Sequence, residues 1–371
     1  MDTHPSSALA PLASTFLSMV PGPVVIPEPI RAAYAQDYGS ADLEADFIEL
    51  YSRTQRQFKT LLNTRNDVVF MTGEGMLALW SALKSCLVPG DRVLSVATGV
   101  FGYGIAQMAQ SLGADVKTVG FGYHETLHDM ARIEAAMVEF NPRMVTVVHC
   151  ETPSGTLNPL EELGNLKNAH QIPLFYVDAV ASVGGVPVLA DEWHIDLCIG
   201  GSQKCLSAPP EMSFLSVSQK AWEIIEAVNY VGYDALKPFR RAVEERVFPY
   251  TPNWQGLAAL YTASALLLEE GLENSFQRHD QVARHCRERL EVMGIPRFPA
   301  KDAVCAPTVT AAQIPDGFSW ETWNRQLREK GLIVAGSYGP LAEKVFRIGH
   351  MGTQARLDWV DKALDVIAET L

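Results

Sequence analysis

The feature that most constrains this chain is an alternation between Asp67 and Val217. Short runs of unbroken apolar residues take turns with longer amphipathic ones. "DVVFMTG" reads as a strand, and "EGMLALWSALKSCL" as a helix that opens at a glycine turn and ends before Pro89-Gly90. "DRVLSVA" is the next strand, and "FGYGIAQMAQSLG" a helix closed by Gly113. "MARIEAAMVEF" is helical, "RMVTVVH" a strand, "PLEELGNLKNAH" a helix and "IPLFYVDA" a strand. "DLCIGG" and "MSFLSVS" complete the series as strands. A strand without polar alternation must be covered on both faces, and the helices between such strands supply the cover. The pattern predicts an α/β fold with a mostly parallel sheet flanked by helices.

From "WQGLAALYTASALLLEEG" onward the pattern changes to long helices, of which "DQVARHCRERLEVMG" is the clearest. "TVTAAQI" and "KVFRIGH" then read as strands of a smaller α+β domain. The expected organisation is an N-terminal arm over residues 1–20, a large domain over 21–260 and a small C-terminal domain over 261–371. "MDTHPSSALAPLASTFLSMV" lacks a basic leading region and is broken by prolines, so it reads as an arm and not as a signal peptide. No apolar run approaches the roughly 20 residues that a membrane-spanning helix needs. A net charge of −13 argues against nucleic acid or an anionic membrane as main partner. The six cysteines are scattered through apolar segments with no CxxC pair. They point to reduced thiols in a cytoplasmic protein, not to a disulfide frame or a metal site.

In sheets of this kind ligands bind beyond the carboxyl ends of the strands. There this chain places Gly73-Glu74-Gly75, Thr98-Gly99-Val100-Phe101-Gly102, Glu151-Thr152-Pro153-Ser154-Gly155, Asp178-Ala179-Val180 and, after "DLCIGGSQ", Lys204. A glycine turn at a helix start offers N–H groups and a positive dipole end to a phosphate. An aromatic such as Phe101 can stack on a pyridine ring. A strand-end aspartate can keep a pyridine nitrogen protonated, and a lysine of lowered pKa can condense with an aldehyde and shuttle a proton. Those are the parts that pyridoxal 5′-phosphate requires.

"YVDAVASVGG" followed by "GGSQKCLSAPP" resembles the class V aminotransferases of PLP fold type I, in the alanine–glyoxylate and serine–pyruvate aminotransferase branch. "MVPGPVVIPEPI", "ETPSGTLNPL", "FPYTP" and "FRIGHMG" match as well, from about Val20 to the C-terminus. The resemblance implies that Lys204 forms a Schiff base with pyridoxal 5′-phosphate and that Asp178 pairs with the ring nitrogen. It places Phe101 and Val180 on the two ring faces and Thr152 or Ser154 near the ring hydroxyl. Gly73, Glu74, Gly75, Met76 and Gln203 would border the phosphate pocket. The family assembles as homodimers, and Thr251 would reach the phosphate from the second copy. Arg347 would hold the substrate carboxylate through a two-pronged ion pair, with Tyr338 beside it. The expected reaction moves an amino group between alanine or serine and pyruvate or glyoxylate.

Glu74 stands where many relatives carry a small hydroxyl residue, and a carboxylate repels a phosphate. Pyridoxamine–pyruvate transaminases, of the same superfamily, have a similar acidic turn and take the unphosphorylated vitamer as substrate. "TPSGT", "KCL" with "APP" and "RIGHMG" resemble them too; against that reading, Tyr338 stands near their second arginine and Gln203 is kept before the lysine. Glu211, after Pro209-Pro210, replaces a usual glycine. Simpler readings remain for single residues. Asp178 could cap a helix, Phe101 could be core, and Thr152, Ser154 and Thr251 could be turn residues. Glu74 could be a first-turn acid serving its helix dipole. His149 and His350 read as structural, without the companions a metal would need. A desulfurase would need a cysteine in a mobile exposed loop, and none is evident. A dinucleotide-binding dehydrogenase would need G-x-G-x-x-G after the first strand, and "GVFGYG" does not have that spacing.

Overall fold

The computed structural model describes residues 16–371, so most of the expected arm lies outside the described residues. A short strand β1 (Leu17–Ser18) comes first. The central sheet is built from β2 (Asp67–Thr72), β3 (Arg92–Ala97), β4 (Asp115–Gly120) and β5 (Met144–Val148). A small hairpin of β6 (Cys150–Glu151) and β7 (Thr156–Leu157) follows β5. The sheet continues with β8 (Leu174–Asp178), β9 (Leu197–Gly201) and β10 (Met212–Val217). Its order is β2-β10-β9-β8-β5-β3-β4. Only β10 is reversed, pairing antiparallel with both β2 and β9. The ends of β2, β3, β5, β8 and β9 therefore share one edge.

Alternate side chains of these strands enter two separate cores. Val68 and Phe70, Leu94 and Val96, Val145 and Val147, and Phe175 and Val177 point to one face. Val69 and Met71, Val93, Met144 and Val148, and Leu174 and Tyr176 point to the other. Side chains of period two on a sheet covered on both sides account for the unbroken apolar runs. On the first face lie α1 (Glu28–Tyr34), α2 (Ala45–Leu61), and residues of α5 (Met130–Phe140), α6 (Glu161–Ala169) and α9 (Trp254–Glu270). On the second lie α3 (Gly75–Cys86), α4 (Val100–Ser111) and α7 (Gln219–Val228). A short helix α8 (Ala242–Glu245) precedes α9. Residue 260, expected as the end of the large domain, falls inside the continuous helix α9.

The C-terminal part holds α10 (Leu272–Val292), β11 (Val309–Gln313), α11 (Trp320–Glu329), β12 (Leu332–Ile333), β13 (Ala335–Gly336), β14 (Val345–Gly349) and α12 (Leu357–Ala368). Three of these strands form an antiparallel sheet with β14 in the centre. The segment after residue 15 is built into this region. β1 pairs in parallel with β12, Met19 O accepts from Gly349 N at 2.7 Å, and Met19 is fully buried in the core there. α1, α2, α7, α11, α12 and the short strands stand outside the sequence reading, and two further differences have a physical reason or a shifted boundary. Edge strand β4 has mostly half-exposed residues and so lacks the apolar run that marked its neighbours, and α10 starts at Leu272, earlier than "DQVARH".

Candidate active site

Lys204 lies three residues beyond the end of β9, in a loop closed on itself. Ser202 Oγ donates to Pro209 O at 2.5 Å, and Ala208 N donates to Ser202 O at 2.9 Å. The amine of Lys204 donates to Pro21 O at 2.5 Å. It fits there because Gly22, at a φ of +90°, has no Cβ; one would lie 2.6 Å from Lys204 Cδ and 2.8 Å from Nζ. Burial, and then the charge of Arg347, push the lysine pKa below its ordinary value. Both causes disfavour the ammonium form and so favour a nucleophilic amine.

Asp178 ends β8, between β5 and β9, and is buried. One carboxylate oxygen accepts from Val180 N at 3.0 Å. Burial raises its pKa to about 6, although the Val180 bond and Lys204 pull the other way. Asp178 and Lys204 line one cavity of about 120 Å³. Glu74, Met76, Phe101, Thr152, Val180 and Gln203 line it too, so the structure brings most of the expected residues together. Gly75 starts α3 against Val180, whose methyl would be 2.7 Å from a Cβ at that position. Gly73, at a φ of +136°, binds the chain back to Glu211 O through its N–H at 2.6 Å.

Besides Gly73 and Gly75, four expected residues stand off the cavity wall. The Ser154 hydroxyl turns away to Thr156 Oγ1 at 2.9 Å and Glu151 O at 3.3 Å, which leaves Thr152 as the hydroxyl on the wall. Thr251 is exposed. Arg347, on β14, is almost fully buried, and two of its nitrogens donate to Gly336 O, from Nε at 2.8 Å and from Nη2 at 2.5 Å. Tyr338 lies over its guanidinium with the ring centroid 4.5 Å away. Burial lowers the Arg347 pKa, and the Tyr338 phenol counteracts it.

The acid of the first glycine turn does not serve as a helix cap. Glu74 Oε2 instead accepts from Gln203 Nε2 at 2.9 Å. The other amide atom, Gln203 Oε1, is buried without a partner in the chain. The second turn differs. Glu151, buried completely, accepts from Phe101 N at 3.1 Å and from Gly102 N at 2.7 Å. Sequence reading placed Glu151 at a strand end but gave it no role; an acid inside "VVHCET" was the available signal. Burial raises its pKa to about 8 against the two N–H bonds, with the Asp178 charge adding to the rise. Cys150, also on the cavity wall, is a neutral thiol, its pKa raised by burial to about 12.

Glu211 has a structural account. Its carboxylate accepts from Tyr34 Oη at 2.7 Å and from Asn253 Nδ2 at 3.0 Å, joining α1 to the residue that caps α9. His149 bonds Ser182 Oγ at 3.0 Å, and His350 bonds Thr310 Oγ1 at 2.7 Å; burial holds both neutral, with pKa values near 3. Among the described residues no group of three or more His, Cys, Asp or Glu is placed to hold a metal ion. No described helix is long and apolar enough to cross a membrane.

A buried lysine of lowered pKa and a buried aspartate share one cavity at the carboxyl edge of a mostly parallel sheet, in an α/β protein with an amine at the centre of its site. The model of the class-V aminotransferase family matches residues 26–346, and the chain belongs to that family. It is 36% identical over 340 residues to an uncharacterized aminotransferase of Methanocaldococcus jannaschii, covering 91% of this chain and 88% of that one. It is 32% identical to the alanine–glyoxylate aminotransferase of Oryctolagus cuniculus, over 96% of this chain and 92% of that protein. It is 31% identical to the pyridoxamine–pyruvate transaminase of Mesorhizobium japonicum, over 96% and 91%. The solved ureidoglycine–glyoxylate aminotransferase from Bacillus subtilis superposes with a TM-score of 0.93 at 30% identity, covering 98% of this chain and 94% of that one. The fold is that of the PLP fold type I aminotransferases, and the chain is a transaminase.

Proposed function

We propose that this transaminase uses pyridoxal 5′-phosphate to move an amino group between alanine or serine and pyruvate or glyoxylate. The observation that carries the reading is the pairing of Lys204 and Asp178 on one cavity, each with its charged form disfavoured by burial. The ring end of the cofactor suits the residues present: an amine to condense with its aldehyde, a carboxylate for its nitrogen and an aromatic wall at Phe101. When bound, the group would supply an electron sink for the substrate carbanion. Lys204, with its lowered pKa, would take the Cα proton and return it. Asp178 would stay ionised by holding the ring N–H. Arg347 would receive the substrate carboxylate, with Tyr338 against its guanidinium. Incubation with alanine and glyoxylate should yield pyruvate and glycine, and failure with every small amino donor would overturn the reading.

One observation favours a second reading at the opposite end of the cavity. Glu74 and the unpartnered Gln203 Oε1 are both acceptors. The amide orientation follows from the Glu74 bond, since only its NH2 can donate to a carboxylate. A phosphate dianion has no proton for such a pair and is repelled by the carboxylate, whereas a hydroxymethyl group can donate. At this end the geometry supports free pyridoxal and pyridoxamine as exchanged substrates, with pyruvate as oxo acid. Mass spectrometry of the purified protein, with assays of pyridoxamine plus pyruvate, separates the two readings. Retained phosphorylated cofactor and no turnover of pyridoxamine would remove the second.

The same proposal includes a division into a large cofactor-binding part over residues 21–260 and a small part over 261–371. It also includes a homodimer. Val231, Tyr233 and Val247, on the segment that leads to exposed Thr251, are exposed apolar side chains that a second copy would cover. Sedimentation should give a dimer.

A further inference from the structure

We infer that Glu151 is a positioning residue that fixes the aromatic wall of the cavity by clamping the first turn of α4. The inference rests on the reading that a vitamin B6 ring occupies this cavity. The first turn of a helix leaves its N–H groups without intrahelical acceptors, and the preceding residue's side chain usually supplies one. Gly99 stands at that position in α4 and has no side chain to offer. Glu151, on β6, does the work instead, with one carboxylate oxygen on Phe101 N at 3.1 Å and the other on Gly102 N at 2.7 Å.

The fit leaves no slack. A Cβ on Gly99 would lie 2.5 Å from the Glu151 carboxyl carbon, and one on Gly102 would lie 3.3 Å from Oε1. The Glu151 carbonyl is tied as well, accepting from Gly155 N at 2.8 Å. The neighbours of Glu151 in sequence, Cys150 and Thr152, line the cavity, as does Phe101. One carboxylate therefore joins two walls that are 50 residues apart in sequence. Its position inside the protein, with both oxygens committed to backbone donors, leaves it unavailable to a ligand. Its effect on the ring must pass through Phe101.

That path is testable by a double-mutant cycle on the full-length protein. At pH 9, where Glu151 is ionised, Glu151→Gln keeps the size but sets an NH2 against one of the two backbone donors. Binding of pyridoxal 5′-phosphate and of pyridoxal would be followed by absorbance of the lysine adduct, alongside thermal unfolding of the ligand-free protein. Glu151→Gln is expected to weaken binding of the better ligand at least tenfold in the wild-type background. In the Phe101→Ala background it should weaken binding less than twofold, while still lowering the melting temperature. Equal weakening in both backgrounds would overturn the inference, because Glu151 would then act independently of Phe101. Unchanged binding in Glu151→Gln would overturn it as well. Wild-type protein that binds neither compound would instead remove the proposed function.

Discussion

Two helices open onto the cavity, and their mouths are built from similar sequence to opposite ends. α3 follows β2 through Gly73-Glu74-Gly75, and α4 follows β3 through Thr98-Gly99. Each mouth has a glutamate beside it. At α3 the acid is local but does not cap; it turns to Gln203 and faces the cavity. At α4 the acid arrives from Glu151, far along the chain, and occupies the N–H groups itself. A helix start can thus be left for a ligand or consumed by the fold. The difference lies in which residue satisfies the donors, not in the glycines that both turns share.

The comparison can be pressed from the chemistry outward. Lys204→Ala should abolish amino transfer, with a loss of about 10²–10⁴-fold or more in kcat, because it removes the amine that would condense with the cofactor and carry the proton. Its melting temperature should stay near wild type, showing both mouths intact without the amine. Glu74→Ser replaces an acceptor by a group that can donate. Preference for the phosphorylated over the free vitamer should rise by roughly ten- to a hundredfold, read from binding constants of the two compounds. No shift in that ratio would mean that the α3 mouth is not the 5′ end of the site.

Asp178 lies between the two mouths and gives a pH test. Its folded pKa of about 6 lies above the ordinary 3.8, so the ligand-free fold binds more protons than the unfolded chain between those values. Stability from this group is therefore greatest below pH 4 and falls as the pH rises to about 6. Ligand binding, which needs the carboxylate, should weaken up to tenfold per pH unit below about 6, and Asp178→Asn should remove that step. The smallest effect is on stability. Glu151→Ala leaves two N–H groups without acceptors and should cost about 2 kcal/mol in denaturant unfolding. Glu74→Ala, which removes one hydrogen bond from Gln203 but no helix cap, should cost less, about 1 kcal/mol.

Much of this site was legible because strand ends are marked by local signals. Apolar runs located β2, β3, β5, β8 and β9, and whatever followed them had to sit on one edge. Glu74, Phe101, Asp178 and Lys204 were found in that way. What escaped depends on contacts that no local pattern encodes. Ser154 and Thr152 look interchangeable in "ETPSG", yet a bond to Thr156 turns one hydroxyl away. Glu151 reads as one more polar residue until α4 is seen to lack its own cap. Gly22 gives no hint of lying over Lys204. β4 stays hidden because an edge strand needs cover on fewer sides.

The roof over the lysine has a consequence for how the molecule is made. The stretch from Leu17 to Gly22 has its partners at Gly331, Ile333 and Gly349 as well as at Lys204. It leaves the ribosome long before those later residues exist. The central sheet can assemble during synthesis, but this stretch must wait, unpaired, until β12 and β14 have emerged. The amine of Lys204 then acquires its lid in one of the final steps of folding, so nascent chains stalled before residue 331 should hold a lysine that amine-directed labels reach with ease.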